Sequence, residues 1–463
     1  MSDGQTWTAE VLDEFVQVTG LPIDRGVRAR HFAASDWGGV VKGAPAGVLR
    51  PRSASEADLA VRLATQRGLK LTIRGTGASS GGQSIAEHWV TLDTTAINEV
   101  SVDPARRTVS CGPGATWRSL LFASLGHGLQ PAVMPMQLDL TVGGVLSVGG
   151  FGAVGHRYGA VGARVTELEV VCGDGAVLRC GPEQNADLFD AVRGGLGRCG
   201  VITGATLSLR PAPPSVQATK VRVPDAGSWV RQIMKLGRRF ADDPSSHVAH
   251  VEGFCRSEEG QLVYELHIGV EHGDEPAPDP WSAASDGGGR SQTMPREDRT
   301  LVQYLARFDP RFDEMVASGH TGDGHPWIEA LLSPEAFVDV LPEVMAGIAG
   351  DKGDRIQIVL VRRDLLPPLL VSPPADMLIC LVVVPRGIPK AELPAAVDAM
   401  ARVHQLVIDA GGKRYLAGWL HDPDEQAWRS HFGDRYDEWC AALQKYDPAG
   451  TFTSALFSRG QRR

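Results

Sequence analysis

From Arg74 to Gln83 the chain reads Arg-Gly-Thr-Gly-Ala-Ser-Ser-Gly-Gly-Gln, with four glycines and three hydroxyl side chains in ten positions. Glycine loses the most backbone freedom on folding and offers no side chain to pack, so a run this dense belongs in a loop and needs a reason. Wrapping a diphosphate is one. Backbone N–H groups converge on phosphate oxygens where no Cβ intervenes, and Ser or Thr hydroxyls add uncharged donors. The pattern is neither Gly-x-Gly-x-x-Gly opening a helix nor a Walker loop with its lysine, so neither standard nucleotide fold is supported. A second stretch, Thr141-Val-Gly143-Gly144-Val-Leu-Ser147-Val-Gly149-Gly150-Phe151-Gly152, repeats the chemistry. Two such loops favour a phosphate role over the plainer alternatives, a simple turn or a glycine-rich helix start packed tightly on a sheet.

The stretch around these loops alternates short β-branched runs with amphipathic segments, an α+β pattern. A helix is expected from about Ala54, with Ser55 as an N-cap-like residue, ahead of a strand from Leu69 to Arg74. Strands are also expected at Trp89-Val-Thr-Leu, Thr108-Val-Ser-Cys, Glu167 to Cys172 and Ala176 to Cys180, with Gly173-Asp174-Gly175 as a hairpin turn. Prolines at 211, 213 and 214 make a stiff joint where the character changes. At 463 residues the chain is too long for one core. We therefore expect two domains divided near residue 212. Gln261 to Val270 and Met377 to Val384 read as core strands of the second, and Asp274 to Arg299 as a surface loop.

Composition removes several function classes. Lys and Arg total 46 against 55 Asp and Glu, a net charge of -9, which offers no general attraction to nucleic acid or anionic lipid. No apolar run is long enough to span a bilayer and the first residues lack a secretory pattern, so a cytoplasmic location is the expectation. Seven scattered cysteines form no C-x-x-C pair, and the thirteen histidines show no H-x-x-x-H or H-E-x-x-H grouping. No metal site is expected.

Read with their flanks, the loops resemble the cytokinin dehydrogenases, a branch of the vanillyl-alcohol-oxidase-like, PCMH-type FAD enzymes. The stretch Arg74 to Gln83 is similar to that family's R-G-x-G-H-S-x-x-G-Q. Ala123-Ser-Leu-Gly-His127-Gly128-Leu-Gln-Pro131, Leu140 to Ser147, Arg157-Tyr158-Gly159 and Gly194 to Thr203 resemble its further motifs. So do His325-Pro326-Trp327, Lys413-Arg-Tyr415-Leu416, Trp428 to Gly433, Lys445 to Pro448 and Ser458 to Gln461. The resemblance implies a two-domain fold. Residues 1–212 with 413–463 would form the FAD-binding domain, and 213–412 a mixed α/β substrate cap. It implies a cofactor shell of Arg74, Gly75, Thr76, Gly77, Ala78, Ser79, Gln83, Met136, Thr141, Gly143, Gly144, Ser147, Phe151, Ile202, Tyr415, Ser458 and Gln461.

Two departures stand out. Ala78 occupies the place of the histidine that the family links to its flavin, and alanine has no nucleophile, so FAD is expected to be non-covalent. Met136 falls where the family has an aspartate that takes the substrate's proton, and methionine cannot do that. Met134 likewise replaces a tryptophan. The pocket should be softer and more apolar, and cytokinin is not the expected substrate. Three residues are candidates for proton transfer: Glu329, where the family has an asparagine; His156; and Asp139, which on an extended strand points away from the face shared by 136 and 138. The leading expectation is an FAD-dependent oxidase or dehydrogenase acting on a C–N or C–OH bond of an apolar small molecule, of the kind met in secondary metabolism. Its electron acceptor would be oxygen, a quinone or a redox partner. The competing readings are a flavin-templated non-redox cyclase or isomerase, and a binding protein with decayed chemistry.

Overall fold

The structure, a computed structural model, describes residues 6–241, 243, 246–273, 275, 291–317, 322–348, 355–385, 387–418, 420 and 423–460. Three sheets organise it. In the four-stranded sheet Gly47–Leu49, Val90–Asp93 and Leu71–Arg74 run parallel, with Ile23–Asp24 antiparallel at one edge. The helix Ala54–Gln66 connects two of these strands and buries Ala57, Ala60, Val61 and Ala64 against them. Its cap is Ser53, which accepts from Glu56 N at 3.2 Å. The expected Ser55 lies inside the first turn, because the N-cap side chain must reach the backbone N–H three residues on.

The second sheet is six-stranded and antiparallel. Val201–Pro211 sits at its centre between Thr108–Cys111 and Val165–Val171, and Leu129–Pro131 pairs with its far end. Val165–Val171 and Val177–Cys180 form the expected hairpin, with Gly175 at φ 86°. That left-handed turn conformation is one that glycine adopts without a Cβ penalty.

After Pro211 the chain enters a nine-stranded antiparallel sheet at Ser215–Val223. From there the order is Gln261–His272, Val248–Glu258, Arg355–Arg362, Met377–Val384, Ile328–Leu332 and Lys413–Arg414. The two faces of this sheet have separate uses, as the period-2 alternation of strands dictates. Ile356, Ile358, Leu360, Ile379, Leu381 and Val383 pack under Trp229, Ile233, Phe337 and Val403 of the covering helices. Each such fully buried aliphatic side chain contributes roughly 1.5–3 kcal/mol. Val359, Val361, Leu378, Cys380 and Val382 point the other way, toward Phe151, Ala160 and Tyr415.

Of the stretch expected to be a surface loop, residues 274 and 276–290 lie outside the described residues. Gln292–Thr293 and Glu297–Thr300 instead form edge strands on Ser215–Val223. Their charged, exposed side chains mimic a loop composition, as edge strands commonly do. Six of the seven cysteines are buried, and Cys440 is half-buried. Among the described residues no helix is long and apolar enough to cross a membrane, and no cluster suits a metal ion.

Candidate active site

The first glycine loop leaves the strand Leu71–Arg74 and is tied down from below. Arg74 is buried, lies over the Phe32 ring and donates to Phe32 O at 3.2 Å and Ser35 O at 3.0 Å. Gly77, at φ +75°, passes so close that a Cβ would come within 2.1 Å of the Arg74 guanidinium. Asp36 accepts from Gly82 N at 2.9 Å and Ser79 Oγ at 3.2 Å. Burial pushes its carboxyl up to about 6, against the opposing pull of the Gly82 N–H and Arg74. Gln83 closes the loop. Its Oε1 accepts from Gly81 N at 2.7 Å, and its Nε2 donates to Leu416 O at 2.8 Å and Gly418 O at 3.0 Å.

The second loop meets the first at Thr141. A Cβ on Gly75 would lie 2.2 Å from Thr141 Oγ1, so the contact exists only because residue 75 has no side chain. Ser147 Oγ donates to Gly143 O at 2.8 Å. At the far end Gly150 N donates to the Tyr415 hydroxyl at 3.0 Å, and the Phe151 and Tyr415 rings lie 4.7 Å apart. The two loops and the Leu196–Ile202 turn enclose a cavity of about 290 Å³ whose opposite wall is the Val359, Cys380 and Val382 face of the large sheet. Trp37, Trp327, Phe308 and Phe312 form an aromatic end wall, with Trp37 and Trp327 at 4.9 Å.

Glu329 opens onto this cavity from the strand Ile328–Leu332. Its Oε2 is buried without a partner. Burial pushes the carboxyl up to about 8, and a hydrogen bond from Trp327 opposes that only weakly. A carboxyl raised from 4.5 in this way binds its proton more tightly in the folded chain than in the unfolded one. Stability is therefore lost as pH rises from about 4.5 to about 8, and is level above that. We expect the drop in melting temperature between pH 5 and pH 8.5 to be smaller in Glu329→Gln than in wild type. Equal drops would contradict this.

Most of the sequence-predicted cofactor residues line one cavity: Gly75, Thr76, Gly77, Ala78, Ser79, Gln83, Met136, Thr141, Gly143, Gly144, Ser147, Phe151, Ile202 and Tyr415. Arg74 stands behind the loop and Ser458 Oγ donates to Ala455 O at 3.3 Å, both away from the lining. Gln461 lies outside the described residues. Of the three proton-transfer candidates the structure brings only Glu329 to the cavity. Asp139 is largely exposed and paired with Arg118 at 2.7 Å, which lowers its carboxyl further. His156 is buried behind the site and pushed down to about 3, chiefly by burial, so it stays neutral at ordinary pH. Met134 is packed in the core of the six-stranded sheet. Sequence reading missed Trp37, Phe308, Phe312 and Gln357. A legible signal existed for the last, a lone amide in the otherwise apolar run Ile356 to Val361.

A family model described as an FAD binding domain matches residues 45–181, which contain both glycine loops. An uncharacterized oxidoreductase of the fasciation locus in Rhodococcoides fascians is 30% identical over 427 residues, covering 90% of this chain and 94% of that one. Cytokinin dehydrogenase 6 of Oryza sativa subsp. japonica is 28% identical over 497 residues, covering 96% and 91%. The chain belongs to the cytokinin dehydrogenase-like FAD oxidoreductases. It is an FAD-dependent enzyme, and the α+β, PCMH-type fold expected from the sequence is the one observed. The solved structure of 6-hydroxy-D-nicotine oxidase from Arthrobacter nicotinovorans superposes with a TM-score of 0.73 at 18% identity, covering 93% of this chain and 96% of that one, a likeness of fold. The residues present fit FAD. Gly75 and Gly77 line the cavity with bare backbone, a Cβ on the first being barred by Thr141 and on the second by Arg74, and the hydroxyl residues Thr76, Ser79, Thr141 and Ser147 line it beside them, while the far end is mostly apolar.

Proposed function

We propose that this oxidoreductase holds FAD without a covalent bond and oxidises a C–N or C–OH carbon of an apolar small molecule other than a cytokinin. The observation that carries the reading is Glu329, a half-buried residue whose Oε2 is shut off from water without a partner, on a cavity whose other sheet-side walls are mostly apolar. Bound FAD would supply a hydride acceptor for the oxidation. The backbone of Gly75, Thr76, Gly77 and Ser79 would hold the diphosphate, and Phe151, Ile202 and Tyr415 the rest of the cofactor. Glu329 would take the proton from the substrate N–H or O–H as the carbon is oxidised, the task Met136 cannot perform. Trp37, Trp327, Phe308 and Phe312 exclude water from that end. In this reading residues 1–212 and 413–463 bind the cofactor, residues 213–412 form the cap, and oxygen, a quinone or a redox partner takes the electrons.

The absence of a linking residue supports dissociable FAD: Ala78 lines the cavity with a methyl group only, and no cysteine is found between 134 and 140. Introducing the imidazole by Ala78→His is expected to retain flavin on the acid-precipitated polypeptide and to raise its midpoint potential above that of wild type. A variant with unchanged potential and fully released flavin would count against position 78 as the linking site.

Anaerobic mixing with a panel of amines and alcohols tests the reaction class. Bleaching of the flavin band by an apolar member supports oxidation. Methionine at 136 and alanine at 78 favour a second reading, a template for non-redox cyclisation or isomerisation. That reading gains if a ligand shifts the band, is converted, and never bleaches it.

A further inference from the structure

The sheet face that looks onto the cavity carries two polar side chains in a single cross-strand row. Gln357 pairs with Val382, and Val382 pairs with Glu329 on the next strand. Side chains in such a row leave the sheet on the same side, and all three line the cavity. Gln357 and Glu329 thus stand two strands apart, roughly 9–10 Å between backbones, with an apolar valine between them.

The amide of Gln357 is oriented from behind. Glu252 is wholly buried, and its Oε2 accepts from Arg307 Nη2 at 2.5 Å while its Oε1 accepts from Gln357 Nε2 at 2.8 Å. A carboxylate paired with a guanidinium can only accept, so it must face the amide nitrogen rather than the amide oxygen. Nε2 also lies against the Met136 sulfur. Both amide hydrogens are therefore committed to the protein, and Oε1 receives no hydrogen bond from the described residues.

We propose that Gln357 is a specificity-determining residue whose Oε1 accepts a hydrogen bond from a neutral N–H or O–H group of the substrate, remote from the carbon being oxidised. The substrate class follows: an apolar amine or alcohol that bears, across an apolar spacer, an amide N–H, an aryl N–H or a second hydroxyl. An amide oxygen gives a cation far less than a carboxylate would, and the Arg307 charge lies just behind Glu252. The inference rests on the reading above that the sheet side of the cavity takes the substrate.

The test titrates FAD-loaded protein with two probe pairs, followed by flavin difference spectra and by calorimetry. One pair is N-benzylacetamide and its N-methyl counterpart, the other benzyl alcohol and benzyl methyl ether. Within each pair the molecules differ by one donor hydrogen. Wild type is expected to bind the donor-bearing member about tenfold more tightly, the scale of one hydrogen bond to a group that the bound molecule shuts off from water. Gln357→Met, similar in length, is expected to bind both members with the weaker affinity while keeping the wild-type flavin spectrum. Equal affinities within the pairs, no binding by the donor-bearing members, or a preference that survives Gln357→Met would overturn the proposal. The comparison inside wild type needs no variant to fold. A protein that takes up no FAD brings down the functional reading and this inference together, whereas a yellow protein with equal affinities brings down this inference alone.

Discussion

Replacing Glu329 with glutamine lowers kcat/KM by about 10²–10⁴-fold for whichever amine or alcohol bleaches the flavin, the range in which a positioned proton acceptor acts. Glutamine keeps the shape and the hydrogen bonding of the side chain and cannot take a proton. Flavin content should remain that of wild type, because Glu329 stands on the sheet wall while the diphosphate cradle is built by the opposite loops. The wild-type pH profile carries a second signature. Burial holds the carboxyl near 8, so kcat/KM rises with pH toward about 8, and that limb is lost in Glu329→Gln. A profile that is flat from pH 6 to pH 9 in wild type, or a variant within threefold of wild type, would remove Glu329 from the reaction. Oxidation would then depend on orientation over the cofactor alone, a contribution that needs no base.

The second large effect is on cofactor binding. Gly75→Val is expected to weaken FAD binding by about 10–100-fold, the equivalent of the 1–3 kcal/mol that overpacking a tight contact costs. The reason is spatial. A Cβ at this position would lie 2.2 Å from Thr141 Oγ1, so the two phosphate-side loops must part to admit it. Gly126→Ala is the control, since its Cβ would meet only Ala123 O at an ordinary 3.5 Å, on a helix end away from the cavity. Flavin absorbance per folded chain, measured over added FAD, separates the two. Wild-type retention in Gly75→Val would mean that the loops do not carry the diphosphate.

The glycine-loop wall of the cavity was legible in the sequence because glycine and hydroxyl density is a local property. A loop that must pass hard against Thr141 of the second loop and over the guanidinium of its own Arg74 has to spell glycine at 75 and 77, and it does. The strands were legible for a related reason: burial on one or both faces imposes its own periodicity, so Thr108–Cys111 and Met377–Val384 fall where expected. Of the sheet wall of the cavity, Glu329 was legible only through the family resemblance, and its neighbours were not. Gln357 and Glu329 come together through antiparallel register across three strands whose order in the sheet departs from their order in the chain, and local patterning does not encode that. Nor does it encode Trp37, which reaches the end wall from far upstream and stacks on His325 at 4.3 Å. Within the stretch read as loop, Gln292–Thr293 and the strand that begins at Glu297 escaped notice because an edge strand with one solvated side has the composition of a loop. Burial, too, is a property of the whole fold. It left His156 neutral and off the cavity lining, while Asp139 is exposed and paired with Arg118.

The most direct test of the account is the visible absorption of the purified protein, taken before acid precipitation and again on the separated supernatant and pellet. A yellow protein whose flavin passes entirely into the supernatant, with the chromophore behaving as FAD, is the result predicted by a cradle of Gly75, Gly77 and Thr141 with only a methyl group at Ala78. Colour that stays with the precipitated polypeptide would contradict non-covalent binding and point to a linking residue elsewhere on the cavity wall. A colourless protein that FAD cannot reconstitute would contradict the account at its centre.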